Sequence, residues 1–114
     1  MEKKVVKTSE IKIQVGLNEN NVPVRMRWNA TDGNIENEEA RAFLFSVWDP
    51  NQKNTLKIDL WTDEMSVEEM KQFFHQTLLT MADTFERATG ETNIVEDLRD
   101  YCYHFADKMK VLPE

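Results

Sequence analysis

The stretch ARAFLFSVWDPNQKNTLKIDLW, residues 40–61, contains two apolar segments on either side of a short polar one. The polar segment, DPNQKN, is rich in Asp, Pro and Asn, which are typical turn residues. Pairing Trp48 with Thr55 sets three pairs of apolar residues opposite each other: Val47 and Leu56, Phe45 and Ile58, Phe43 and Leu60. Directly opposed residues of antiparallel strands share a face. The stretch therefore predicts a β-hairpin with one apolar face.

The opposite face of this hairpin is more apolar than a solvated surface should be. It carries Leu44, Trp48 and Trp61 among Ser46, Lys57 and Asp59. Aromatic anchors bordered by charged residues are typical of protein interfaces. We predict that Leu44, Trp48 and Trp61 contact a protein partner or a second copy of the chain. Two alternatives stay open: the last helix or the terminal segments cover this face, or a bulge reverses the strand.

Two further strands precede the hairpin. The segments EIKIQVGL and VPVRMRWNA alternate apolar and polar residues around the turn NENN. A four-residue turn places Leu17 opposite Val22, Val15 opposite Val24, and Ile13 opposite Met26. The following segment, TDGNIENEE, is polar and acidic, so we predict a loop there.

After Trp61 the apolar residues recur with helical spacing. Ser66 followed by Glu69 is a capping box, and Gly90 is a natural helix end, so we predict a helix over residues 66–89. Its apolar stripe comprises Val67, Met70, Phe74, Leu78, Met81, Phe85 and Ala88. Asn93 and Glu96 suggest a second helix over residues 93–112, which ends before Pro113.

This order of elements predicts an α+β fold. A four-stranded antiparallel sheet within residues 9–61 is followed by two C-terminal helices, which pack on one face of the sheet. The length of 114 residues suits one domain over residues 1–114, with residues 1–8 flexible.

Composition limits the classes of partner. A net charge of −7 opposes binding to nucleic acid or to an anionic membrane surface. No apolar run is long enough for a signal sequence or for membrane insertion. Cys102 is the single cysteine, so it cannot form an intramolecular disulfide, and a reducing cytoplasm suits the chain.

No constellation of residues supports catalysis. His75 has no second ligand at helical spacing, so we interpret it as a boundary histidine bonded to the backbone or to a neighbour. Asp100 and His104 could bind a divalent ion, although a solvated helix face is the better interpretation. Cys102 lies in an apolar stripe, where a thiol behaves as a small hydrophobe. We therefore predict no catalytic, cofactor-binding or metal-binding residue, and no enzyme.

Several motifs together resemble one known family. They are VPVRMRWNATDG, FLFSVWDP, LKIDLWTDEMSVEEMKQFFHQTLLTMADTFERATG and LRDYCYHFADKM. From about Ser9 to about Met109 the chain looks like the gliding-motility protein GldC family of Bacteroidota. The resemblance implies a small cytoplasmic accessory protein of the gliding machinery that acts through protein partners and is not an enzyme.

The order of strands and helices is also similar to the export chaperone SecB, which is acidic and assembles through its sheets and helices. This similarity of topology implies an alternative function, a holdase that binds unfolded or partly folded clients.

Overall fold

The computed structural model describes residues 3–111, which form five strands and two helices. The strands are β1 (Ile11–Leu17), β2 (Pro23–Ala30), β3 (Ile35–Ala40), β4 (Ala42–Asp49) and β5 (Asn54–Trp61). The helices are α1 (Val67–Thr89) and α2 (Thr92–Met109). The predicted α+β class is confirmed. The chain divides after Met65 into two compact units, a strand unit and a helix unit, and each is described by itself.

The strand unit contains five strands in two sheets, so the prediction of one four-stranded sheet is wrong. One antiparallel sheet has the order β1-β2-β3, and β4 pairs with β5 in a second. The change of sheet occurs at Arg41, the single residue between β3 and β4. On one side of it Ala40 pairs with Met26 of β2, whereas on the other side Ala42 pairs with Trp61 of β5.

The predicted register of β1 against β2 is wrong by two residues over residues 11–16 and by one residue at Leu17. Val15 lies opposite Met26 and not opposite Val24 because the one-residue irregularity between Gly16 and Leu17 adds to a one-residue difference in the turn. Met26 is fully buried. A shift of two residues keeps the same side chains on the same face, so the predicted apolar face of these two strands persists.

The structure of the turn explains the one-residue difference at Leu17. Asn18 donates its N–H to the carbonyl oxygen of Val22 at 3.0 Å, which leaves three residues and not four in the loop. The side-chain oxygen of Asn18 accepts from the N–H groups of Asn20 at 2.8 Å and Val22 at 3.1 Å. Asn21, with φ of 61°, has the left-handed conformation that completes such three-residue turns.

The third strand, β3, occupies the segment that was predicted to be a loop. Its sequence, IENEEA, has no alternation of apolar and polar residues, and four of its six residues are exposed. Pairing with β2 is reinforced by Asn29, whose side-chain oxygen accepts from the N–H of Asn37 at 2.9 Å. The four central residues of β3 are polar and exposed on both faces, so its sequence lacks the usual signal; charged residues are a common feature of exposed edge strands.

The β4–β5 hairpin has the register predicted from its sequence. Trp48 pairs with Thr55, and Val47, Phe45 and Phe43 pair with Leu56, Ile58 and Leu60. The turn is closed by a hydrogen bond of 2.8 Å from the N–H of Lys53 to the carbonyl oxygen of Asp49. No register shift interrupts this pair. The alternative in which a bulge reverses the faces of the first strand of the hairpin is therefore excluded.

The first segment described, residues 3–10, has no regular secondary structure. Lys7 forms an ion pair of 3.2 Å with Asp32, and Ser9 donates a hydrogen bond to the same carboxylate. The hydrogen bond from Ser9, and then the one from Lys7, lower the pKa of Asp32. Flexibility of residues 1–8 stays a prediction, and residues 1 and 2 lie outside the described part of the chain.

Helix α1 agrees with its predicted bounds. Ser66 is the N-cap, and its side-chain oxygen accepts from the N–H of Glu69 at 3.0 Å. Gly90 ends the helix with φ of 74°, a left-handed conformation that glycine adopts without strain.

Helix α2 differs from its predicted bounds at both ends. Its N-cap is Glu91, which makes no side-chain capping bond, so Asn93 lies inside the helix and does not cap it. The helix ends at Met109 because Lys110 adopts a left-handed conformation with φ of 58°. The predicted end at Leu112, before Pro113, lies outside the described residues.

The two helices form an antiparallel hairpin. Arg99 of α2 bonds to Asp83 at 2.8 Å and to Glu86 at 3.0 Å, while Phe105 of α2 stacks on His75. The buried residues of the two helices are small or compact, namely Ala82, Val95 and Cys102.

The sequence predicts that the apolar stripe of α1 is buried. In the structure this stripe is not the buried face of the helix unit. Val67, Phe74, Met81 and Phe85 are all exposed, and so is Ala88. The side of α1 that contacts α2 lies a quarter turn away, where Ala82 is buried and His75 is half-buried. Packing of the helices on the sheet, and the single domain, stay predictions.

Candidate interaction surfaces

The structure places Leu44, Trp48 and Trp61 on the same face of the β4–β5 hairpin, here called the tryptophan face. Their cross-strand partners Asp59, Thr55 and Ala42 share that face. Leu44 is half-buried, whereas Trp48 is 62% exposed and Trp61 is 53% exposed.

The tryptophan face is not a continuous apolar patch. Trp48 lies next to the turn and Trp61 lies at the open end of the hairpin, about 20 Å away along the strands. Between them, Lys57 donates to the side-chain oxygen of Ser46 at 3.1 Å and pairs with Asp59 at 3.3 Å. The predicted site thus comprises two separate aromatic positions with a polar strip between them.

The other face of the same hairpin is continuous and apolar. Phe45 pairs with Ile58 and Val47 pairs with Leu56, so the four side chains occupy neighbouring positions on one face. They are between 42% and 55% exposed. We call these four residues the hairpin apolar face. The sequence pattern places these residues on one apolar face, but it predicts that the helices cover this face. It therefore does not indicate an interaction site there.

A second apolar surface lies on the helix unit. On each helix, the exposed apolar residues lie about a quarter turn around the helix axis from the residues that contact the other helix. The direction of this rotation is the same on both helices. Because the two helices are antiparallel, both stripes lie on one side of the hairpin. We call this the helical apolar face; it comprises Val67, Phe74, Met81 and Phe85 of α1 with Ile94, Leu98, Tyr101, Phe105 and Met109 of α2.

A shallow cavity confirms that the two stripes meet. Val67, Met70, Lys71 and Phe74 of α1 line it together with Phe105 of α2, and its volume is about 200 Å³. Its wall is apolar except for Lys71, which pairs with Glu68 at 3.5 Å. The helix unit therefore has a wide apolar side and, opposite it, a polar side.

His75 lies in the contact between the two helices. Its ring stacks on that of Phe105, with 6.3 Å between the ring centroids and 5° between the ring planes. Its Nε2 atom is buried and has no hydrogen-bond partner among residues 3–111. The interpretation of His75 as a histidine bonded to the backbone or to a neighbour is therefore wrong for this nitrogen.

Cys102 lies in the same contact and is 2% exposed. Burial raises the pKa of its thiol, and the negative charge of Asp83 raises it further. Both effects favour the neutral thiol, which is a poor nucleophile and a poor metal ligand.

His104 lies on the exposed side of α2. The centroid of its ring is 5.8 Å from the centroid of the Tyr101 ring. Within residues 3–111 no group of three or more His, Cys, Asp and Glu residues could hold a metal ion. The predictions of no metal, no cofactor and no catalytic residue stay predictions.

Comparison with known families identifies the chain. A family model described as gliding motility-associated protein GldC-like matches residues 23–111, which extend from β2 through α2. The chain belongs to the GldC-like family. The resemblance inferred from the sequence motifs is thereby confirmed. No curated protein and no solved structure matches the chain significantly.

The GldC-like match includes every surface described above. The tryptophan face, the hairpin apolar face and the helical apolar face lie within the matched residues, whereas β1 lies before them. None of the helices in the described residues is long and apolar enough to span a membrane.

Proposed function

We propose that this GldC-like protein is a non-enzymatic, cytoplasmic accessory protein of bacterial gliding motility that acts by binding another protein. Membership of a gliding motility-associated family supports the pathway. The exposed hairpin apolar face is the observation that supports binding, because contiguous exposed apolar residues are typical of protein interaction sites.

The geometry of the hairpin suits it to this role. Phe45, Val47, Leu56 and Ile58 project from a sheet that contains two strands within the described residues. A two-stranded sheet is marginally stable in water unless its apolar face is covered. A protein partner that covers this face removes apolar surface from water and stabilises the hairpin at the same time.

Capture of partners by variants tests the proposal. Tagged wild-type protein, Ile58→Glu and Trp48→Glu are used to isolate partners from cells of a gliding bacterium, with Lys12→Glu on exposed β1 as the control. We expect the wild type and the control to enrich the same protein of the gliding machinery, and Ile58→Glu to lose it. Trp48→Glu tests separately whether the tryptophan face contributes to binding of the partner. Equal capture by all four proteins, or no enriched motility protein, contradicts the proposal.

A SecB-like holdase is the second candidate function. The number of exposed apolar side chains favours it, since the strand unit and the helix unit each have an apolar face. Holdases bind many unfolded chains through such surfaces, whereas an accessory protein binds one folded partner.

A permanently unfolded probe separates the two functions. Fluorescence anisotropy of labelled, reduced and carboxymethylated α-lactalbumin is measured as the protein is added. Micromolar binding that Ile58→Glu abolishes supports the holdase. An unchanged anisotropy, together with capture of one motility protein, supports the accessory function.

A further inference from the structure

We propose that two copies of the chain associate through the helical apolar face, with α2 stacked antiparallel on α2 of the second copy. This inference rests on the helix unit alone and is independent of the proposed function. A twofold axis would run across the helices, parallel to the apolar faces and between them.

The composition of the face supports burial. On α1 the exposed side carries Val67, Phe74, Met81 and Phe85, and Lys71 is the charged residue beside the first two. Met81, near the middle of the helix, is 59% exposed. A helix hairpin with one wide apolar side needs a second surface to cover it. Two such hairpins stacked face to face form a four-helix bundle.

The charges at the border of the face are self-complementary. Asp97 and Lys108 lie on the outer border of α2, eleven residues or about 16 Å apart. Both are exposed, and neither forms an ion pair within the residues that the structure describes. Antiparallel stacking about the midpoint of these two charges, between Cys102 and Tyr103, places Asp97 of one copy opposite Lys108 of the second copy. The twofold symmetry creates this pair twice.

The same axis also pairs aromatic residues of α1. Arg99 lies beside Asp83 and Glu86, and Phe105 lies beside His75, so the midpoint between Asp97 and Lys108 is level with Leu79 and Thr80. Phe74 and Phe85 are equidistant from that level along α1. The axis that pairs Asp97 with Lys108 therefore also sets Phe74 of one copy opposite Phe85 of the second.

Charge reversal at the border tests this geometry. The association of wild type, Asp97→Lys, Lys108→Asp and the double variant is measured by sedimentation equilibrium over a micromolar range. We expect a dimer for the wild type and a dissociation constant raised about tenfold in each single variant, because like charges then face each other twice. In the double variant the charges are again complementary, so its dissociation constant should return to within about threefold of wild type.

Two further variants control for fold and charge. Asp100→Lys changes the charge by the same amount as Asp97→Lys but on the polar side of α2, so it should leave the dimer intact. Met81→Glu places a charge at the centre of the face and should give monomers with unchanged helical circular dichroism. Monomeric wild type, a dimer insensitive to Met81→Glu, or a double variant as weak as the single ones would each overturn the proposal. Ile58→Glu should still dimerise, so loss of the motility partner and loss of the dimer are distinguishable.

Discussion

His75 is a polar side chain of α1 that stacks on an aromatic ring of α2. Its ring contributes apolar contact with Phe105, but its buried Nε2 atom has lost water without gaining a partner. An unsatisfied buried polar atom costs about 1–3 kcal/mol, and a ring contact contributes about 0.5–1.5 kcal/mol. The first effect is larger, so an apolar replacement of similar size should be tolerated.

We therefore expect His75→Leu to leave the free energy of unfolding unchanged or to raise it by up to about 1 kcal/mol. Urea denaturation followed by circular dichroism measures the change. Gln76→Ala, at the neighbouring exposed position, controls for helix propensity. A loss of more than about 1 kcal/mol in His75→Leu would mean that the imidazole makes a stabilising bond in solution.

Cys102 should react slowly because it is both buried and neutral. Its pKa is raised in the folded state, so this residue contributes stability below the pKa of the unfolded thiol, about 8.5, and the contribution declines as pH rises toward the folded pKa. At pH 8 we expect Ellman's reagent to react with the folded protein far more slowly than with the protein in urea. Equal rates in the two conditions would show that the thiol is accessible. Asp83→Asn should lower its pKa slightly.

At the scale of elements, strong alternation predicts which segments are strands, but the register also depends on the turn. The β4–β5 register follows from three apolar pairs and a turn rich in Asp, Pro and Asn. Strand β3 could not be predicted because an exposed edge strand imposes no pattern. The β1–β2 register depended on the backbone conformation of Asn21, which the composition of the turn does not specify.

The helix unit shows a different limit of sequence patterns. The bounds of α1 could be predicted because Ser66 and Gly90 mark them chemically. The side of α1 that contacts α2 could not, since hydrophobic periodicity favours the large residues at Phe74 and Met81. Close packing instead uses the small residue Ala82 and leaves the larger ones exposed. The sequence pattern predicts that the helical apolar face and the hairpin apolar face are buried, so it does not indicate either of them as a candidate site.

The two N-caps provide a matched pair of tests. Ser66→Ala removes the bond to the N–H of Glu69 and should lower the free energy of unfolding by about 1 kcal/mol. Glu91→Ser supplies a preferred capping side chain to α2, whose N-cap makes no side-chain bond. This substitution should raise the free energy of unfolding by about 0.5 kcal/mol. Thermal and urea denaturation at fixed protein concentration measure both changes. A destabilised Glu91→Ser would show that the carboxylate has another role.

At the scale of the whole molecule, the two compact units have separate spectroscopic probes. All three tryptophans, Trp28, Trp48 and Trp61, lie in the strand unit, whereas both helices lie after Met65. Fluorescence therefore reports on the first unit, and circular dichroism at 222 nm reports mainly on the second. The single domain predicted from the length requires the two signals to change together in urea. Separate midpoints would show two independently unfolding units.

Every strand pair and the helix pair join elements that are consecutive along the chain: β1 with β2, β2 with β3, β4 with β5, and α1 with α2. Such pairings close short loops, so little chain entropy is lost before each contact forms. Each hairpin can form as soon as its second half leaves the ribosome, without waiting for the C-terminus. We expect the main phase of refolding, measured by stopped flow, to be complete within milliseconds.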